Sequence, residues 1–366
     1  MAAADKPDLL KSRTVPELTS GMRMYLIVAA LILTVPLWAR FIPGDVIHMD
    51  ITNVMVLAGI YSCAVVGLNL LIGYAGQVSL GHSAFMGIGA YSVAILCTTF
   101  KWFPTWLGII VGVLLSGVIG LLVGVPVLRL KGHYLALATL GLGEIAFILF
   151  RQMIDLTKGT VGITSIPPLS MFGFQFNSDL KQYYLVWVIV LLLLLFTINI
   201  VRSRVGRSLR ALHSSEVAAD AMGVNTARYK TYVFVLSAMF AGLAGALFAL
   251  RQLYVNPESF TLTLSILLVT MVVVGGMGNL YGGIVGAIVL TFLPEVIKAL
   301  PSFEKFNNYN LVLYGLLLIV FMIFWPRGIA YGLERGADLT SRGARHLHDR
   351  YRSRRIEGHS KDERDE

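Results

Sequence analysis

Residues 184–201, "YLVWVIVLLLLLFTINIV", run without a single charged side chain. A helix rising about 1.5 Å per residue needs about 20 such residues to cross roughly 30 Å of hydrocarbon. In lipid every backbone N–H and C=O must be paired within the protein, which leaves helices or closed barrels as the options. Comparable runs recur near 24–42, 51–71, 77–99, 103–127, 134–153, 231–250, 262–277, 279–297 and 310–325. The sequence therefore predicts an all-α, polytopic transmembrane bundle of about ten spans. Charged residues make up only 14% of the chain, against roughly 25% in ordinary soluble domains, which agrees with that class.

The formal charge of +9 is not spread evenly. Of the 30 Lys and Arg residues, 22 fall in 1–23, 128–133, 202–230 and 326–366. These are the segments that share one side if ten spans alternate, and the positive-inside rule makes that side cytoplasmic, with both termini there. The expected organisation is a cytoplasmic segment 1–23, a transmembrane domain 24–327 and a mixed-charge tail 328–366 that is expected to be poorly ordered. We expect no cleavable leader before the first span, which would itself serve as the targeting signal. Ten spans divide as five plus five about the outer loop 154–183. An odd number per half turns the halves upside down relative to each other, as in inverted-repeat transporters.

Several chemistries are missing. Cys63 and Cys97 both lie inside spans, where apolar packing is the default for a thiol. The histidines are scattered, and no clustered acid, base, nucleophile or metal-ligand set stands out. No G-x-x-x-x-G-K-[ST] loop occurs, nor any Gly-Lys pair, so a nucleotide driving transport would have to be bound by another chain. We expect no catalytic, cofactor or metal residue in this chain.

The cytoplasmic stretch "GRSLRALHSSEVAADAMGVNTARYK" (206–230) carries a local helix signal. Ser215 is placed as an N-cap, Glu216 as the acidic first-turn residue, and Gly223 as the residue that ends the helix in a left-handed conformation. Val217, Ala218, Ala221 and Met222 give it a small apolar face, flanked by Arg207, Arg210, Arg228 and Lys230. A helix of about two turns is marginal alone and needs a surface to pack on, either a cytosolic partner or lipid headgroups.

Polar groups inside the spans form a second set. Asn69, Gln77, Ser79, His82 and Ser83 sit among Gly73, Gly76, Gly81, Gly87 and Gly89. They either line a pathway or satisfy neighbouring backbone, because irregular backbone at membrane depth survives only where protein or a water-filled cavity shelters it. Glu144 lies roughly 15 Å along its span, near the midplane, where an ionisable group is costly and usually faces a bundle interior or a cavity, so it is expected either to line or gate the pathway or to serve as a structural hydrogen-bonding group. Small residues recur every fourth position at Gly108, Gly112, Ser116, Gly120 and Gly124, at Ala238, Gly242 and Ala246, and at Gly278, Gly282 and Gly286. Such stripes allow close helix approach.

Four separated segments, "GLNLLIGYAGQVSLGHSAFMGIGAY" (67–91), "GHYLALATLGLGEI" (132–145), "GRSLRALHSSEVAADAMGVN" (206–225) and "VVGGMGNLYGGIVGA" (273–287), resemble the M-type membrane permease subunits of branched-chain amino acid ABC importers. The resemblance covers about residues 50–327. It implies a bacterial inner-membrane subunit that forms a translocation path with a second, homologous permease. It further implies two cytosolic ATPase subunits that bind ATP and Mg, and an extracytoplasmic substrate-binding protein facing the outer loop. Glu216, Ala218, Ala219 and Gly223 match the Glu, small residues and glycine of the family's ATPase-coupling segment, with Ser215 as its cap. The polar Val224-Asn225-Thr226 departs from the apolar run expected after it. Two other functions fit the spans: a urea or short-amide permease of the same kind, and a stand-alone ion-coupled transporter. The capped cytoplasmic helix favours an ATP-driven machine, since ion coupling has no need of it.

Overall fold

The computed structural model describes residues 51–100, 102–171 and 174–299, together with the isolated positions 25, 34 and 315. The segment 1–23, the expected spans 24–42 and 310–325 apart from those positions, and the tail 328–366 lie outside the described residues. The remaining eight expected spans all appear as helices. They are α1 (Ile51–Asn69), α2 (His82–Thr99), α3 (Thr105–Val127), α4 (His133–Gln152), α6 (Asp179–Arg202), α9 (Thr226–Gln252), α10 (Leu262–Gly275) and α11 (Leu280–Ala299). Shorter helices α5 (Ile154–Thr157), α7 (Arg204–Ser214) and α8 (Glu216–Ala221) lie between them. A small antiparallel hairpin, β1 (Ser170–Met171) with β2 (Phe174–Gln175), is the sole sheet among the described residues.

Among the described residues six segments are long and apolar enough to cross a membrane: α1 with its π-helical extension to Tyr74, α3, α4, α6, α9, and α10 with the short turn from Pro257. The expected span 77–99 is shorter than predicted. Its polar, glycine-bearing start through Gly81 is not helical, and α2 begins at His82. The apolar part of α11 is likewise short, Leu280–Val296, with Pro294 inside it.

Small residues set the packing. α9 is the hub, lying against α1, α2 and α3, while α1 also packs on α6 and α11. A Cβ on Gly89 of α2 would run into the carbonyl of Gly242 in α9, and one on Gly275 of α10 into that of Gly282 in α11. Backbones this close gain dispersion contacts that larger side chains would forbid, and such contacts drive helix association in lipid. The α3 stripe works as expected: Gly112 faces Gly89, Gly120 faces Ala238, and Ser116 Oγ donates to Phe85 O at 3.2 Å. The third stripe is shorter than the spacing implied. Gly278 sits in the turn between α10 and α11 at φ +77°, leaving Gly282 and Gly286 on the helix.

The bundle has two distinct ends. At one, Arg251 Nη1 lies 2.6 Å from Asp179 Oδ1 and 2.6 Å from Gln182 Oε1, and its Nη2 donates to Asn53 Oδ1 at 2.7 Å. Ile163 pairs with Val255 there, and Thr105 Oγ1 accepts from Ser170 N, so the 154–178 loop is strapped onto the helix ends. At the other end lie the 128–132 turn, helices α7 and α8, and the turn 276–279.

Candidate functional site

The segment 203–226 is built from consecutive caps. Ser203 Oγ accepts from Val205 N at 3.1 Å and starts α7, which buries Gly206, Leu209 and Leu212 and exposes Arg204, Arg207 and Arg210. Sequence reasoning missed this helix. Its signal was present in the cap and in three inward residues spaced three apart. Ser215 then caps α8, its Oγ accepting from Ala218 N at 3.3 Å.

Helix α8 ends where glycine allows. Gly223 has φ +81°, its N–H bonds Asp220 O at 2.9 Å, and Val224 N–H bonds Ala219 O at 3.0 Å. Those two bonds are the Schellman pattern, which satisfies carbonyls left open by the last turn. The polar run after the glycine has a structural reason. Asn225 Oδ1 caps α9 by accepting from Arg228 N at 3.0 Å, and Thr226 Oγ1 donates to Asp220 Oδ1 at 2.7 Å. Val224-Asn225-Thr226 is therefore the joint between α8 and α9.

The two faces of α8 differ. Ala219 is buried, whereas Val217 is 75% and Met222 84% exposed, with Ala218 and Ala221 exposed beside them. Glu216 points the other way. Its Oε1 lies 2.7 Å from Lys230 Nζ and 3.7 Å from Lys131 Nζ. Lys230 is only 2% exposed, so it belongs to the joint rather than to the basic flank expected from sequence.

The in-span polar residues are mostly joined in pairs across helices. Asn69, buried at the end of α1, accepts at Oδ1 from Gly278 N at 3.0 Å and donates from Nδ2 to Asn279 O at 2.6 Å. The π-helical turn Leu70–Tyr74 follows, and Gly73 packs directly on Gly278. His82 is held between Ser79 Oγ at 3.0 Å and Ser237 Oγ at 2.7 Å. Ser83 N donates to Ser265 Oγ at 2.9 Å, and Ser265 Oγ donates to Ser83 Oγ at 2.8 Å. Leu80 N donates to Thr139 Oγ1 at 3.0 Å. Gln77 is half-buried, with Nε2 donating to Ala75 O at 3.2 Å. The structure thus brings Asn69, Ser79, His82 and Ser83 to helix crossings around the break between α1 and α2. Sequence reading missed their partners Ser237, Ser265, Thr139 and Asn279, although a lone hydroxyl in an apolar run is itself a sign of a cross-helix bond.

Glu144 stands apart from this set. It is exposed on α4, and its carboxylate makes no hydrogen bond or ion pair with another described residue. Leu137, Ile145, Ile148 and Leu149 of α4 are exposed too, and a Cβ on Gly141 would meet nothing. Among the described residues Glu144 is not enclosed by the bundle, which leaves a cavity or path outside them as the setting its depth calls for.

Comparison with known proteins adds three findings. The profile of the family described as "Branched-chain amino acid transport system / permease component" matches residues 50–322. The high-affinity branched-chain amino acid transport system permease protein LivM of Escherichia coli is 34% identical over 334 residues, covering 85% of this chain and 76% of that protein. The corresponding permease LivH of Salmonella typhimurium is 25% identical over 300 residues, covering 76% of this chain and 93% of that one. No solved structure matches the chain.

Proposed function

Because the chain belongs to the branched-chain amino acid transport permease family, we propose that it is the membrane subunit of an ATP-driven importer of branched-chain amino acids in a bacterial inner membrane. Similarity to both LivM and LivH supports a second, homologous permease as its partner in the translocation path. ATP and Mg belong to separate cytosolic ATPase subunits, and an extracytoplasmic binding protein delivers substrate to the strapped 154–183 side.

The observation that carries this reading is α8. A capped six-residue helix that buries Ala219 but leaves Val217 and Met222 in the open is a surface waiting for a partner. In our reading the ATPase subunit covers Val217, Ala218, Ala221 and Met222, while Ser215, Glu216 and Gly223 fix the pose of the helix. Motion of the ATPase then reaches α9 through the Glu216–Lys230 pair and the Asp220–Thr226 bond.

The five-plus-five inverted arrangement has support in packing. The second span of the first half, α1, lies on the fourth of the second half, α11, and α9 lies on α3 in the same relation. Both termini are cytoplasmic in this scheme. Glu144 then faces the second permease across the pathway, with Gln77 near its cytoplasmic mouth. Asn69, Ser79, His82 and Ser83 act by holding helices around the path.

The test is leucine uptake into proteoliposomes holding this chain with its permease, ATPase and binding-protein partners. Uptake is expected to require ATP and all partners, and to be competed by isoleucine and valine but not by urea. ATP-independent uptake by this chain alone would overturn the reading in favour of ion coupling.

A further inference from the structure

A cavity of about 560 Å³ opens between the last turn of α3 and the first turn of α9. Its wall carries Arg129, Arg228 and Lys230 against a single carboxylate, Glu216, and that carboxylate already neutralises Lys230 at 2.7 Å. Two guanidinium groups are left without an anionic partner among the described residues. Arg129 is exposed, and its guanidinium makes no hydrogen bond or ion pair to any described residue. Arg228 is held in place: its Nε donates to Tyr232 Oη at 2.6 Å, and its guanidinium carbon lies 5.3 Å from the centre of the Tyr232 ring.

Apart from Thr231 and Tyr232, the remaining wall is apolar. Val125 and Leu128 line the cavity, and Val125 continues a row of exposed residues up α3 through Leu122, Leu121 and Val118 to Leu115 and Leu114. The cavity is therefore a basic chamber at the end of two membrane-crossing helices, with a greasy track leading from it along the span. Basic pockets between spans at the membrane surface hold anionic headgroups, and a Tyr and an Arg at that level suit the interface. A ligand that uses both parts carries a phosphate at one end and hydrocarbon at the other.

We propose that the α3–α9 cavity binds the headgroup of an anionic phospholipid, its phosphate between Arg129 and Arg228 and an acyl chain along the α3 row. The occupied site places a lipid against Lys230 and Glu216, the pair that joins α8 to α9. It thereby couples lipid composition to the joint. The proposal needs only that the chain spans a membrane, so it stands or falls separately from the substrate and from the side on which the cavity opens.

The experiment is native mass spectrometry of the full permease assembly, taken from nanodiscs of phosphatidylcholine containing phosphatidylglycerol and stripped stepwise with detergent. The wild type is expected to retain a phosphatidylglycerol that Arg129→Gln/Arg228→Gln binds about thirtyfold more weakly, the effect of two surface charges. Arg207→Gln, exposed at the same end but outside the cavity, is expected to retain it. If the double variant fails to accumulate, Arg129→Gln alone is expected to weaken retention about fivefold. Equal retention by the cavity variants would overturn the proposal, as would equal loss from Arg207→Gln, which would mean general surface attraction. Displacement of the lipid by millimolar inorganic phosphate would reassign the cavity to a free anion. Unchanged lipid retention with loss of ATPase co-purification would reassign it to the ATPase contact.

Discussion

Lys230 Nζ, buried in the first turn of α9, lies 2.7 Å from Oε1 of Glu216 in the first turn of α8. The carboxylate at the start of α8 is therefore directed into the bundle, where it offsets the only buried ammonium among the described residues. Removing one partner of a buried pair costs far more than the pair is worth net, because it leaves an uncompensated charge.

The first prediction concerns that pair. Glu216 is a quarter exposed, so the cost of Glu216→Gln is expected near 1–3 kcal/mol rather than the full cost of a deeply buried site. The loss is expected to be local: faster protease cleavage within 203–226, and ATPase association and uptake reduced together. Glu216→Lys should be worse, since it sets two ammonium groups together. Lys230→Met combined with Glu216→Gln should recover much of the loss. A double-mutant cycle on cleavage rate and ATPase co-purification measures this, and a coupling energy near zero would show that the pair does not hold the joint.

The cap on α8 gives the second prediction. A Cβ at Gly223 would meet nothing within 4 Å, so substitution there is limited by backbone conformation alone. At φ +81° a non-glycine L-residue costs about 1–2 kcal/mol, least for Asn. Gly223→Asn is expected to keep most ATPase-coupled uptake, Gly223→Ala to lose part, and Gly223→Val to lose most, with equal amounts in the membrane. If Val and Asn behave alike, the left-handed turn is not what couples the subunits.

Asn69 supplies the third. It bridges a donor and an acceptor on the turn between α10 and α11, so Asn69→Ala strands both Gly278 N–H and Asn279 C=O at about 1–3 kcal/mol each. Asn69→Asp keeps the acceptor but turns the donor into a buried carboxylate oxygen aimed at a carbonyl, and it should be the less stable of the two. Thermal aggregation of the purified chain in detergent ranks them. Wild-type stability in both variants would return Asn69 to the pathway-lining role.

How much of this was legible follows from what each signal depends on. Span positions were readable because lipid imposes length and apolarity on each helix separately, and the caps at Ser215 and Gly223 because they act within a few residues. Glu216 and Lys230 lie fourteen residues apart with a turn between them, and Asn69 and Gly278 are separated by most of the chain. No local rule pairs such positions. The motif segments 67–91 and 273–287 were visible as two glycine-rich patches, but that they meet at Gly73 and Gly278 is a property of the assembled bundle. Glu144 shows a related limit: depth in the membrane can be counted along a helix, whereas the direction a side chain faces depends on neighbours.

The last prediction starts from Glu144. A carboxylate near the middle of a span is too costly to leave against lipid, so the face of α4 holding Glu144 must be covered by protein or by a water-filled path. Gly141 lies one turn before it with open space over its Cα, while Gly89 of α2 is pressed against Gly242 within the chain. These two glycines separate folding from assembly. Gly89→Leu is expected to abolish accumulation of the chain, because the α2–α9 crossing cannot open by a side chain's width. Gly141→Leu should leave the chain as abundant and as thermally stable as wild type yet lower its co-purification with the second permease several-fold. Glu144→Gln should keep that association and lower leucine uptake. Should Gly141→Leu assemble normally and Glu144→Gln transport normally, α4 does not face the partner, and the path is lined elsewhere.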